Sequence, residues 1–155
     1  MYFVYEKDKG EVMKILFLII FATFAFADLS RSSSGIVRDD QTHLEWADHE
    51  SVTKIWEEAI DYCEELSLNG GGWRLANINE LLSIMGGYPK SDLAYPHAIN
   101  GTFVNVDLND EYWSSTYSSI YYKDAAIRIT ARKGIFFSSD KISSRLKVRC
   151  VRDLK

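Results

Sequence analysis

Two cysteines, three histidines and a late run of cations carry most of the chemistry open to this 155-residue sequence. Cys63 and Cys150 fit two uses: a disulfide in an oxidising compartment, or one nucleophilic thiol and a spare. The second use needs a base, and no His stands near either Cys in the sequence. Structural zinc takes four ligands, often in close pairs, and no such pairs occur. Asp107, Asn109, Asp110 and Glu111 form an oxygen-rich cluster of the kind that holds Ca²⁺. Their spacing matches no calcium loop, and a solvated turn ahead of a strand accounts for them as well. Gly-x-Ser-x-Gly and His-Glu-x-x-His are both absent. Glu57-Glu58 and Glu64-Glu65 read as a solvated helix flank. No catalytic residue and no cofactor is assigned.

Charge offers a second kind of chemistry. The net charge is −4, which argues against bulk nucleic-acid binding. It is unevenly spread: from Lys123 onward the cations are Lys123, Arg128, Arg132, Lys133, Lys141, Arg145, Lys147, Arg149, Arg152 and Lys155, against Asp124, Asp140 and Asp153. On a strand, Arg145, Lys147 and Arg149 share one face, opposite Leu146, Val148 and Cys150. With Arg128, Arg132 and Lys133 they are candidates for binding a sulfated or carboxylated polysaccharide. The competing reading pairs these cations with the acidic first helix, the ordinary fate of surface charge.

Aromatics offer a third. Tyr112, Trp113, Tyr117, Tyr121 and Tyr122 surround Ser114-Ser115-Thr116 and Ser118-Ser119. Tyr with Ser is the vocabulary of adaptable recognition surfaces, so Tyr117, Tyr121 and Tyr122 are candidate ligand-loop aromatics. Trp56, Trp73 and Trp113 are expected in the core.

These groups need a scaffold. Ile15 to Phe26 is an apolar run too short to span a bilayer, preceded by Lys14 and closed by Ala25-Phe26-Ala27. Residues 13–27 therefore read as a cleavable signal peptide and 1–12 as a start-site extension. Export follows, to the periplasm or the cell surface, with no stable membrane span in the mature chain. An oxidising destination favours the Cys63–Cys150 bridge. Residues 28–35 are polar and Ser-rich and read as a flexible lead-in.

Ile36-Val37-Arg38 and His43 to Trp46 flank an Asx-rich turn and predict a β-hairpin. Apolar spacing through Ile55, Ala59, Cys63 and Leu66 predicts a helix over Thr53 to Leu68, capped by Ser51 or Thr53. Asn77 and Glu80 form a capping box for a short helix through Ile84 or Met85. Tyr88 to Thr102 reads as a long loop. Strands are expected at Glu111 to Ser115, Ala125 to Thr130, Gly134 to Phe137 and Leu146 to Val151, with a turn at Ala131 to Gly134. Helices early and an antiparallel sheet late make an α+β domain.

Several of these residues also form a recognisable order: Thr42, Leu44 and Trp46; Trp56 to Ala59 with Cys63; Gly72 to Leu75; Ile78 to Ile84; Tyr112 to Thr116; and Val148 to Arg152. The chain resembles, from about Gly35 to Asp153, the domain family typified by the C-terminal domain of the Legionella collagen-like adhesin. Many members of that family have no assigned function. The resemblance implies a C-type-lectin-like fold, with two helices packed on an antiparallel sheet and a helix Cys bridged to a late-strand Cys. Residues 36–155 would form that domain. Ala76 stands where the family usually has Pro, and the collagen-like repeats are missing, so no stalk or trimer is carried over. The sugar-binding Glu-Pro-Asn and Gln-Pro-Asp signatures of true C-type lectins are absent.

Together these readings predict an exported, non-catalytic recognition domain for a glycan or polyanionic polysaccharide. The alternative is an envelope structural or assembly protein that binds a protein partner.

Overall fold

A computed structural model describes residues 29–86, 99–118 and 124–154. The start-site extension, the signal segment, Tyr121, Tyr122 and most of the Tyr88 to Thr102 loop lie outside these residues. Among the described residues the fold is α+β, with two α-helices and two five-stranded sheets. The sequence reading expected one antiparallel sheet.

The first sheet grows from the predicted hairpin. β1 (Ser30–Arg31) pairs with β2 (Ile36–Asp39), and β2 with β3 (Leu44–Ala47), both antiparallel. The lead-in therefore contributes a strand. Asp39 accepts the backbone N–H groups of Gln41 and Thr42 at 2.9 and 3.2 Å, which fixes the turn. Gly35, at φ +76°, lies so close to His49 that an added Cβ would stand 2.7 Å from His49 Cα.

The first helix, α1 (Trp56–Glu65), is shorter than its apolar spacing predicts. Thr53–Lys54 forms β4 instead, and Ile55 takes the cap position with no side-chain cap. The reason is distant in sequence: β4 pairs antiparallel with β9 (Leu146–Lys147). Asn69, at φ +47°, and Gly70 to Gly72 then turn the chain into β5 (Arg74–Leu75). The capping box forms as expected on α2 (Ile78–Ser83), where Glu80 N donates to Asn77 Oδ1 and Asn77 N to Glu80 Oε2.

β6 (Glu111–Tyr117), β7 (Ala125–Thr130) and β8 (Phe136–Asp140) form an antiparallel meander. The expected strand from Leu146 to Val151 breaks in two. Leu146–Lys147 joins the second sheet, where it pairs parallel with β6; β10 (Cys150–Asp153) joins the first. The sheet orders are β1-β2-β3-β10-β5 and β4-β9-β6-β7-β8. The residues between β9 and β10 carry the chain from one sheet to the other, which ends the alternation expected of Arg145, Lys147 and Arg149.

Two apolar clusters hold the layers. One gathers Val37, Trp46, Leu81, Ile84, Ile99, Tyr112 and Ile129; the other gathers Trp56, Ala59, Trp73, Trp113 and the Cys63–Cys150 disulfide. The bridge ties α1 to β10. Each indole of the second cluster also holds the backbone: Trp56 Nε1 donates to Ser114 O, Trp73 Nε1 to Leu68 O and Trp113 Nε1 to Lys54 O, at 2.8 to 3.0 Å. Ala76 is buried and its N–H donates to Arg149 O at 3.1 Å, a bond that Pro could not make. No helix among the described residues is long and apolar enough to cross a membrane.

Candidate functional site

The meander brings part of the predicted cation set into one groove. Thr130 ends β7, a turn carries Arg132 and Lys133, and β8 returns with Phe136 and Phe137. The turn closes through Thr130 N to Ile135 O and Gly134 N to Thr130 O, both 3.0 Å. Beside it, the segment before β6 supplies Leu108, Asn109 and Glu111. Together with Thr130, Arg132, Lys133, Ile135 and Phe137, these residues enclose about 330 Å³. Leu108, Ile135 and Phe137 give it apolar walls. The Arg128 guanidinium sits 5.4 Å from the Phe137 ring centroid and bonds to Glu111. The Thr130 hydroxyl is buried with no hydrogen-bond partner among the described residues.

The other predicted cations lie elsewhere. Arg145 pairs with Glu58 of α1 at 3.3 Å, and Lys147 approaches Asp110 at 3.9 Å. Arg149 is buried, at 1% exposure, and bonds to Asp48 at 2.7 Å. The expected cationic face of Arg145, Lys147 and Arg149 is therefore not formed. Its Arg149 serves the interior, because Asp48, buried at the end of β3, needs a counter-charge. The pairing of Arg145 with α1 matches the competing reading of these charges.

Tyr117 is 63% exposed and leans on Trp56 with ring centroids 5.1 Å apart. Lys141 Nζ lies 4.8 Å from the Trp56 centroid and 4.7 Å from that of Tyr117. The charge of Lys141 is thus held over two rings.

The oxygen-rich cluster disperses. Asp107 Oδ1 accepts from Asn109 N at 2.8 Å, and Asp110 Oδ2 accepts from Asp107 N at 3.3 Å. Asp110 also faces Lys147, Glu111 goes to Arg128, and Asn109 lines the groove. No set of acidic, His or Cys side chains that could hold a metal gathers among the described residues. The turn explains the cluster.

Leu108, Thr130, Ile135 and Phe137 were not among the residues singled out from sequence. The available signal was the apolar run Ile135-Phe136-Phe137 directly after Arg132-Lys133-Gly134. Three adjacent apolar residues on an edge strand must expose at least one of them.

A family model described as the Lcl C-terminal domain matches residues 35–152. No curated protein matches the chain.

Proposed function

This chain belongs to the Lcl C-terminal domain family, and on that premise we propose that it is an exported, non-catalytic recognition domain of C-type-lectin-like fold. Its ligand class is polyanionic polysaccharide at the cell envelope or surface. The observation that carries this reading is the groove, where an aromatic wall and cations converge. Phe137 offers a ring to a sugar and Lys133 offers charge to sulfate or carboxylate, while Arg128, paired with Glu111, backs the Phe137 ring. Asn109 offers hydrogen bonds to ring hydroxyls. The disulfide supports an oxidising destination.

The test is binding of the purified protein to neutral and sulfated glycans, at low and high salt, with and without a chelator. Salt-sensitive, chelator-resistant binding that weakens in Lys133→Glu supports the reading. Binding to no glycan, or binding indifferent to Lys133 and Phe137, sinks it.

A second reading, an envelope structural or assembly protein with a protein partner, draws on the exposed apolar side chains of Ile135, Phe136 and Ile142. A partner held mainly by that apolar surface would bind with little dependence on salt.

A further inference from the structure

β8 is an end strand of the second sheet, bonded on one side to β7 over five aligned pairs without a bulge. Ile135 O accepts from Thr130 N, and Lys141 N donates to Asp124 O, so the odd-numbered residues turn their main-chain groups toward β7. By alternation, Phe136 and Ser138 turn theirs outward. No strand among the described residues bonds that edge. Natural edge strands are blunted by Lys, Pro, bulges or short length. β8 carries neither Lys nor Pro, and Phe136 and Phe137 are 54% and 48% exposed.

We propose that β8 is a self-docking edge: two copies of this chain pair it antiparallel about a twofold axis near Phe137, joining two five-stranded sheets into one. The occupant is argued from complementarity. An antiparallel pair centred on Phe137 sets Phe136 of each copy opposite Ser138 of the other. The outward N–H and C=O groups of both residues then find partners. The same register sets Phe137 against its own copy in the close, non-bonded position that favours aromatic pairs. Charge agrees. The strand is preceded by Arg132-Lys133 and ends at Asp140. Antiparallel pairing brings each Asp140 to the other copy's cationic turn, whereas parallel pairing would put like charges together. A twofold contact also consumes both edges, so it closes as a dimer and does not propagate.

The contact does not depend on any ligand, so its test is separate from glycan binding. Light scattering of the purified protein over a concentration series should show a monomer–dimer equilibrium. Phe136→Lys should raise the dimer dissociation constant at least about tenfold, or about 1.4 kcal/mol. Ser138→Pro removes an outward N–H while sparing the bonds to β7, and should act in the same direction. Retention of the disulfide and of a cooperative melt shows that each variant folds. Amide exchange in the unaltered chain gives a reading without variants: exchange at Phe136 and Ser138 should slow as protein concentration rises. A chain that stays monomeric to its solubility limit overturns the proposal. So do a dimer indifferent to both variants and exchange at these two amides that ignores concentration.

Discussion

Arg149 Nη1 stands 2.7 Å from Asp48 Oδ1, with both side chains shut off from solvent. Asp48 also accepts from Arg31 Nε and from the backbone N–H groups of Val104 and Asn105, at 2.9 to 3.2 Å. Arg149 Nη2 reaches Asn105 O at 3.0 Å and the Tyr112 hydroxyl at 3.3 Å. The pair thus binds β1, the end of β3, the segment before β6 and the crossing between the two sheets at one point. Asp48→Ala strands two guanidinium groups and two amides. It should cost about 3–5 kcal/mol in denaturant unfolding, since a buried charge has lost its partner. A loss below about 1 kcal/mol would mean that water fills the gap.

The Cys63–Cys150 bridge spans 87 residues. Removing it as the Cys63→Ala/Cys150→Ala double variant should cost roughly 4–5 kcal/mol by loop-closure entropy. Comparing thermal melts of the oxidised and double-variant proteins checks this. Mass spectrometry of the folded protein should find no thiol open to alkylation.

Gly35→Ala should destabilise by more than about 1 kcal/mol. The position has φ +76°, and the new methyl would meet the His49 backbone. A neutral result in chemical denaturation would show that the hairpin and His49 can separate at little cost.

Much of the scaffold was legible because its signals are local. Asp39 closing a turn, Asn77 and Glu80 capping each other and the apolar stripe through Cys63 each lie within one element. The losses share a different cause. Thr53 left the helix because Lys147 pairs with it, and Arg149 went inside because Asp48 awaits it. Those partners are about a hundred residues away, and no local pattern reports them. The groove was half legible: Arg128, Arg132 and Lys133 were named for their charge. Phe137 and Leu108 were not, since only the meander places them beside those cations.

Alkaline pH should separate Tyr62 from an ordinary tyrosine. Burial, then its hydrogen bond to Glu50, hold its pKa above the usual 10.0. A raised folded pKa favours the protonated ring in the fold. The stabilisation is complete below pH 10 and fades as pH climbs from there toward the folded value. Unfolding free energies between about pH 9 and 11 should therefore fall less steeply in Tyr62→Phe than in the unaltered chain. Equal slopes would remove Tyr62 from the account.

For glycan binding, the groove and the remaining cations make opposite forecasts. Phe137→Ala should weaken binding to sulfated glycan by about tenfold, near 1.4 kcal/mol, through loss of the ring face and of the Arg128 stack. Arg145→Glu should change it less than about threefold, because that cation already faces Glu58. Calorimetric titration of both variants ranks them, and the reverse order would move the site to the α1 flank.

The link between α1 and β10 also sets how the molecule ages. Every residue of the groove lies between Cys63 and Cys150, inside one closed covalent ring. A protease that nicks the chain once anywhere in that ring opens it without releasing a fragment. The cut ends stay tethered, and both sheets keep their strands. The nicked protein would thus run as one band until a reductant is added. The groove would stay attached to the fold after a cut that splits an unbridged domain in two.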